Sequence, residues 1–121
     1  FYSKTVKNSD LAEFESGVVH QVYGTFALGR DAEWVCRLFV LEMKETDEEG
    51  IGVHLDIKHS SPALVNSEVV FMAEIIELER NFINCRWECR VNERLIAYGT
   101  QGQKIIKKDK LEQLFNSLKN G

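Results

Sequence analysis

One predicted helix, residues 27–45, carries apolar side chains around nearly its whole circumference. A helix on the surface of a globular protein needs only one apolar stripe, so this helix should be buried on most of its sides. Its apolar residues are Ala27, Leu28, Ala32, Trp34, Val35, Cys36, Leu38, Phe39, Val40, Leu41 and Met43. An acidic segment, residues 45–50, ends the helix in solvent. The rest of the chain must therefore supply a large apolar surface that covers this helix.

After the helix, apolar residues occur at every second position, which indicates β-strands. Four strands are predicted, at 51–59, 68–79, 83–91 and 94–106. The second is apolar on both faces and should be central. A turn at Asn92-Glu93 joins the last two strands, and Gly99 and Gly102 indicate a bulge or a close backbone approach in the fourth. One long helix and an antiparallel meander predict a two-layer α+β domain whose sheet wraps around the helix.

The two ends of the chain give weaker signals. Residues 4–6 suggest a short strand and residues 11–15 a helical turn. A second helix should begin at Asp109, with Glu112 completing a capping box. Its single apolar stripe consists of Leu111, Leu114, Phe115 and Leu118. We expect this helix to pack on the surface of the domain as a structural element.

Composition excludes several classes of protein. The 121 residues fit one domain, 1–121, and a net charge of −4 without a Lys/Arg cluster argues against a nucleic-acid or anionic-membrane partner. Three cysteines, an odd number within apolar patterns, suggest buried thiols in a cytoplasmic protein. Cys85 and Cys89 lie roughly 13 Å apart on a strand, too far for one zinc ion or a disulfide. No metal site and no membrane span are predicted.

The predicted central helix also bears on assembly. Its apolar surface is larger than one small sheet can cover, so a second copy of the chain should complete the burial. We expect a homodimer or a dimer of dimers.

Three polar residues near this helix can carry chemistry. Glu33 lies in the apolar helix, His59 lies on the apolar side of the first strand, and Thr25 precedes the helix. Each has an ordinary explanation: an ion pair of Glu33 with Arg37 or Arg30, a strand-end histidine, and a helix cap. A carboxylate and an imidazole that face one interior are nevertheless costly unless they are paired or used. Together they suggest a catalytic site in a shared, largely dry cleft.

At these residues the chain resembles the hotdog-fold thioesterases, and within them the fluoroacetyl-CoA thioesterase-like group. The matching motifs are Gly24-Thr25, then Glu33-Trp34-x-Cys36, then Gly52 and His59, and finally Gly99-Thr100. The fluoroacetyl-specific enzymes have a His-Glu-Arg run after the last of these motifs. Here the run is Gln101-Gly102-Gln103, so a glutamine stands where that group has its basic residue. This departure puts a fluorinated substrate in doubt.

The resemblance implies a hotdog fold and the hydrolysis of a small or medium acyl-CoA to the free acid and CoA, without a separate cofactor. It implies Thr25, Glu33 and His59 as catalytic residues, with Gly24, Gly52 and Phe26 lining the substrate site. Glu33 could act as general base or nucleophile, Thr25 could position water or attack, and His59 could relay a proton. Backbone amides near Phe26 and Ala27 could stabilise the oxyanion.

Geometry limits this scheme, because Thr25 and Glu33 are about 12 Å apart along an unbroken helix. Cooperation would require a folded-back loop at Thr25 or a group from a second chain. For the ligand, Phe26, Trp34 and Phe71 could shape an acyl pocket. The lysines that could meet the phosphates of CoA are Lys58, Lys104, Lys107 and Lys108. The rival hypothesis is a non-catalytic hotdog module that binds acyl-CoA or another small ligand.

Overall fold

The computed structural model describes residues 1–14 and 17–119, which form eight β-strands, two α-helices and one short 3₁₀ helix. The strands are β1 (Tyr2–Thr5), β2 (Leu11–Phe14), β3 (Gly17–Tyr23), β4 (Glu48–Leu55), β5 (Lys58–His59), β6 (Glu68–Glu79), β7 (Phe82–Val91) and β8 (Arg94–Lys107). The helices are α1 (Thr25–Met43) and α2 (Lys108–Lys119), and the 3₁₀ helix spans Asn8–Asp10. The predicted α+β class is confirmed.

An antiparallel sheet forms one layer of the domain. Its strand order is β1-β6-β7-β8-β4, and β5 pairs with β8 beside β4. Four of these strands were predicted after the helix, and the short strand suggested at residues 4–6 is β1, which lies two residues earlier at its start and pairs with the outer edge of β6. Strand β5 is a separate sixth. Strand β6 is interior, as its two apolar faces indicated. Strands β2 and β3 pair separately.

The main core lies between this sheet and α1. In strand β7 every second residue from Ile83 to Cys89 is fully buried and the residues between them are more accessible, so Ile83, Cys85, Trp87 and Cys89 share the inner face. Together with Phe71 of β6 they pack against the buried apolar side chains of α1, which are those of Ala27, Leu28, Ala32, Val35, Cys36 and Val40. The three cysteines are buried and form no disulfide, which confirms their predicted place in the core.

The sheet covers only one side of α1. In the single chain Trp34, Leu41 and Met43 remain 40–42% exposed. The prediction that the helix is buried on most sides is therefore wrong for one copy of the chain. The helix also lies two residues earlier than predicted, because Gly24 is its N-cap.

Other elements differ from the prediction at the ends and in the first strand. Residues 11–14 form a strand, not a helical turn, because they pair with β3, which the sequence did not reveal; residue 15 lies outside the described residues. The predicted strand 51–59 is divided into β4 and β5 at Asp56 and Ile57. Helix α2 begins at Lys108, so Asp109 lies in its first turn.

Helix α2 does not pack on the domain as expected. It has no buried residue in the single chain, and Leu114, Phe115 and Leu118 are about half exposed or more. Most of its apolar stripe is therefore left uncovered by the part of the chain that the structure describes. No helix in the described ranges is both long enough and apolar enough to cross a membrane.

Candidate functional site

Thr25 and His59 form a hydrogen-bonded pair at the start of α1. The distance from Thr25 Oγ1 to His59 Nε2 is 3.1 Å, and both residues are exposed in the single chain. The hydroxyl donates when Nε2 is unprotonated and accepts when Nε2 carries a proton. The pair opens into a groove of about 360 Å³, also lined by His20, Tyr23, Ser60 and Ala63. This is the geometry of a hydroxyl group and a neighbouring base.

Asp56 explains how His59 reaches Thr25. Its carboxylate accepts hydrogen bonds of 3.0 Å from both the backbone N–H and the hydroxyl of Thr100. A Cβ at Gly99 would lie 2.1 Å from the Asp56 carbonyl oxygen, so only glycine allows this approach. These contacts fix the backbone at Asp56, after β4 ends and before β5 begins. In β5, His59 then pairs with Ala97 of β8. The Gly99-Thr100 motif therefore positions the histidine from the neighbouring strand.

Those contacts also set the charge of Asp56. Partial burial of its carboxyl opposes ionisation, but the two donors from Thr100 and the nearby Lys58 and His54 outweigh it. The net result is that the pKa of Asp56 is lowered. An ionised carboxylate therefore accepts both Thr100 bonds at neutral pH.

Glu33 lies further along α1 with a different set of partners. Its Oε1 accepts a 3.2 Å hydrogen bond from Gln101 Nε2 on β8. The carboxylate lies directly over Gly52 of β4, where a Cβ would be only 2.2 Å from Oε1. Gly52 thus makes room for Glu33, which explains the glycine in the predicted site.

The alternative in which Glu33 forms an ion pair on the helix surface is wrong. Arg37 donates to Glu49 at 3.0 Å and to the Gly50 carbonyl at 3.1 Å. Arg30 bonds Asp10 and Asp31 instead. Within the described residues, neither arginine pairs with Glu33.

Within one chain, the Thr25–His59 pair and the Glu33 carboxylate are separate. Helix α1 runs without a break from Thr25 to Glu33, so they lie about 12 Å apart along its axis. Of the two alternatives for bringing them together, the folded-back loop at Thr25 is therefore wrong, and the group from a second chain stays a prediction. Glu33 and His59 are both exposed, so the expected dry cleft is wrong for the single chain. A shallow groove of about 250 Å³, lined by Thr25, Phe26, Gly29, Arg30, Glu33, Leu55 and Ile57, connects the two groups.

An ionic cluster around two buried carboxylates, those of Asp10 and Asp31, lies behind Thr25 and was not foreseen from the sequence. Lys4 Nζ lies 2.9 Å from Asp10 and 3.0 Å from Asp31, and Arg30 bonds both carboxylates. The Tyr23 hydroxyl donates to Asp31. Burial, reinforced by this bond to Asp31, strongly raises the pKa of Tyr23. The nearby Gly24 N–H donates to the Asp10 carbonyl at 2.8 Å, so the cluster fixes the residue that precedes Thr25.

The remaining predicted ligand contacts divide clearly. Phe26 is 76% exposed and lines the groove beside Thr25, whereas Phe71 is fully buried in the core and cannot line a pocket. Of the four lysines, Lys58 adjoins His59, while Lys107 is paired with Asp47 at 2.9 Å. Among the described residues, no three His, Cys, Asp or Glu side chains are arranged to hold a metal ion.

Comparison with known proteins gives one family match. Residues 6–109 match the family described as fluoroacetyl-CoA-specific thioesterase. A search among curated protein sequences found no match.

Three solved structures are similar over nearly the whole chain. A Thermus thermophilus protein described as a thioesterase superfamily member is 32% identical, with a TM-score of 0.93 over 98% of this chain and 88% of that one. A mutant of the fluoroacetyl-CoA-specific thioesterase, in complex with fluoroacetate and CoA, is 17% identical, with a TM-score of 0.86 over 96% of this chain and 95% of that one. A hot-dog-like protein from Thermanaerovibrio acidaminovorans is 17% identical, with a TM-score of 0.87 over 96% and 86%. The predicted hotdog fold is confirmed.

Proposed function

The chain belongs to the fluoroacetyl-CoA-specific thioesterase family, and from this premise we propose that it hydrolyses a small or medium acyl-CoA to the free acid and CoA. The observation that carries the proposal is the Thr25–His59 pair, with Oγ1 and Nε2 3.1 Å apart beside an open groove. A carboxylate, Glu33, lies at the other end of a second groove that begins at the same threonine. A hydroxyl, an imidazole and a carboxylate can together orient and activate a nucleophile and transfer the protons of thioester hydrolysis.

The reaction divides into proton transfers that these groups can perform. Glu33 takes a proton from a water molecule while the oxygen of that water attacks the thioester carbonyl carbon. The backbone amide of Ala27, in the first turn of α1, has no acceptor within the helix and stabilises the oxyanion. The C–S bond then breaks, and His59, held by Thr25, passes the proton that Glu33 took from the water to the leaving sulfur, which restores both side chains. The products are the carboxylic acid and the CoA thiol.

A second copy of the chain completes this site. Glu33 and Thr25 of one copy are too far apart along α1 to act on one carbonyl carbon. The residues beside Glu33 are exposed and apolar, including Trp34, Val53 and Leu55 at 40–47% exposure. We therefore expect a homodimer, or a dimer of dimers, in which Glu33 of one copy faces Thr25 and His59 of another. A stable, active monomer in size-exclusion chromatography would contradict this arrangement.

The acyl group should be uncharged. Gly29, Leu55 and Ile57 give the groove between Thr25 and Glu33 an apolar wall, and Arg30 at its edge is committed to Asp10 and Asp31. The CoA portion would extend past His59 towards Lys58, whose Nζ is held 3.6 Å from Asp56. We propose no cofactor, because CoA arrives as part of the substrate, and a cytoplasmic location, in keeping with the free thiols.

A non-catalytic ligand-binding module is the second candidate. The observation in its favour is the separation of Glu33 from the Thr25–His59 pair within one chain. Purified protein should be incubated with acyl-CoAs from acetyl to octanoyl and a thiol-detecting dye. We expect enzyme-dependent release of CoA from at least one substrate. Saturable binding of acyl-CoA, without release from any of them, would overturn hydrolysis and favour the binding module.

A further inference from the structure

Two glutamine side chains of β8 lie in the core directly behind Glu33. Gln101 and Gln103 are 1% and 2% exposed. Gln103 Nε2 donates to Gln101 Oε1 at 2.9 Å, and Gln101 Nε2 donates to Glu33 Oε1 at 3.2 Å and to the Gly102 carbonyl at 3.2 Å. The bonds run in one direction, from the core towards the carboxylate.

The hydrogen bonds that Gln101 makes with Gln103 and with Glu33 fix the orientation of the Gln101 amide. Because Gln103 presents an N–H group to Gln101, the oxygen of Gln101 must face Gln103 and its nitrogen must face Glu33. A carboxylate only accepts hydrogen bonds, so this orientation matches ionised Glu33. Rotating the Gln101 amide by a half turn would break both bonds and place two oxygens against each other.

Packing alone does not explain two primary amides at these positions. A buried amide costs free energy unless all its groups are bonded, and Gln103 Oε1 has no partner among the described residues. The facing inner positions of β7 carry Ile83 and Cys85, in register with Gln103 and Gln101. An apolar side chain of the same length would avoid the cost. The amides therefore do something that an apolar pair would not.

The surroundings of Glu33 leave this task to the glutamines. Arg37 is held by Glu49 and the Gly50 carbonyl, and Arg30 by Asp10 and Asp31. Cys36, one turn further along α1, is a buried thiol, and Gly52 offers no side chain. Among the described side chains, the donor bonded to the carboxylate is therefore the neutral amide of Gln101.

We propose that Gln103 and Gln101 are positioning residues that aim the Glu33 carboxylate into the groove without neutralising its charge. The inference rests on the proposed function, in which Glu33 activates the attacking water. A cation in their place would form an ion pair with Glu33 and compete with the water for its oxygens. A neutral donor holds one oxygen and leaves the other available.

The test removes each donor while keeping the length of the side chain. Gln101→Met deletes the bond to Glu33, and Gln103→Met leaves Gln101 in place but frees its amide to rotate. Steady-state kinetics with the best acyl-CoA should show kcat lowered by about 10- to 100-fold in Gln101→Met and by less in Gln103→Met. KM should stay within about twofold, because the bond acts on the attacking group and not on substrate binding. Gln113→Met, on exposed α2, is the chemical control and should match the wild type.

A double-mutant cycle with Glu33→Gln separates positioning from general damage to the fold. The hydrogen bonds from Gln103 to Gln101 and from Gln101 to Glu33 are here called the relay. If the relay acts through Glu33, adding Gln101→Met to Glu33→Gln should not lower the residual kcat further. Wild-type kcat in both methionine variants, or an equal loss with and without Glu33, would overturn the relay. If Gln101→Met does not fold, Gln103→Met carries the same comparison. Full activity in Glu33→Gln would overturn the catalytic role of Glu33 and the relay together, whereas an inactive Glu33→Gln beside fully active methionine variants overturns the relay alone.

Discussion

Gly52→Ala should remove most of the activity while the fold remains intact. A Cβ at this position would lie 2.2 Å from Glu33 Oε1, 3.2 Å from its carboxylate carbon and 3.5 Å from Gln101 Nε2. To reach an ordinary contact of 3.4 Å, the carboxylate oxygen must retreat by 1.2 Å. The displaced atom is the end of a flexible side chain, so the backbone need not move. The bond from Gln101 and the aim of the carboxylate would both be lost.

The size of the effect follows from this displacement. A misplacement of about 1 Å in a reacting group can cost roughly 100-fold in rate. At 1.36 kcal/mol for each tenfold change, this corresponds to about 2.7 kcal/mol of transition-state stabilisation. Gly52 is not among the glycines with positive φ, so alanine fits its backbone. Since alanine also loses less conformational entropy than glycine in a strand, the melting temperature should stay the same or rise slightly.

The assay is CoA release at saturating acyl-CoA, together with thermal unfolding of the same preparation. Gly102→Ala is the matched control, because its Cβ would meet the Phe82 ring at 3.1 Å and not Glu33. We expect Gly102→Ala to keep kcat near the wild-type value. A Gly52→Ala enzyme with wild-type kcat and a normal melting temperature would show that Glu33 does not depend on the space above Gly52.

Three further predictions concern the ionic cluster and the assembly. Asp10→Asn should lower the free energy of unfolding by about 3 kcal/mol in urea titrations, because Lys4 and Arg30 lose a buried partner. Glu74→Gln, in an exposed pair with Arg86, is the control and should change the free energy of unfolding little. Burial opposes ionisation of the Asp10 carboxyl, but hydrogen bonds from the Lys7 amide, Lys4 and Arg30 outweigh burial and lower the pKa of Asp10. The ionised carboxylate therefore stabilises the fold above the unfolded pKa of about 4, and this stabilisation is lost as the pH falls through the pKa of the folded state. Between pH 6 and 2 the wild type should thus lose more stability than Asp10→Asn, and parallel curves would contradict this. Thr25→Ala and Glu33→Gln, each inactive alone, should regain about a quarter of the wild-type activity when co-expressed, since half of the dimers are mixed and one of their two sites is intact; no regain would place each site within one chain.

Much of the fold follows from periodicity in the sequence. Residues 68–79 alternate too little to be an edge strand, and they form an interior strand with the predicted bounds. The break at Asp56 was missed because the apolar alternation continues through Ile57 to His59. Only the Thr100 donors, 44 residues away, show why the strand divides there. Local patterns do not reveal such long-range bonds.

The candidate site was predictable in its members and not in its arrangement. The spacing of Thr25, Glu33 and His59 resembled a known family, and the structure brings Thr25 and His59 together. Glu33 was expected near the same imidazole, yet its bonded partner is Gln101, in the run where the chain departs from the fluoroacetyl-specific pattern. The cluster of Lys4, Asp10, Arg30 and Asp31 joins residues from three elements, and single charged residues in sequence carry no sign of it.

The most direct measurement compares CoA release by the wild type, Glu33→Gln and His59→Ala, with Glu42→Gln and His54→Ala as exposed controls on the same helix and on the preceding strand. We expect the wild type and both controls to hydrolyse the same acyl-CoA at similar rates, and the two site variants to lose at least about 100-fold in kcat. Wild-type rates in Glu33→Gln or His59→Ala, in folded protein, would contradict the assignment of these residues to one thioester-cleaving site.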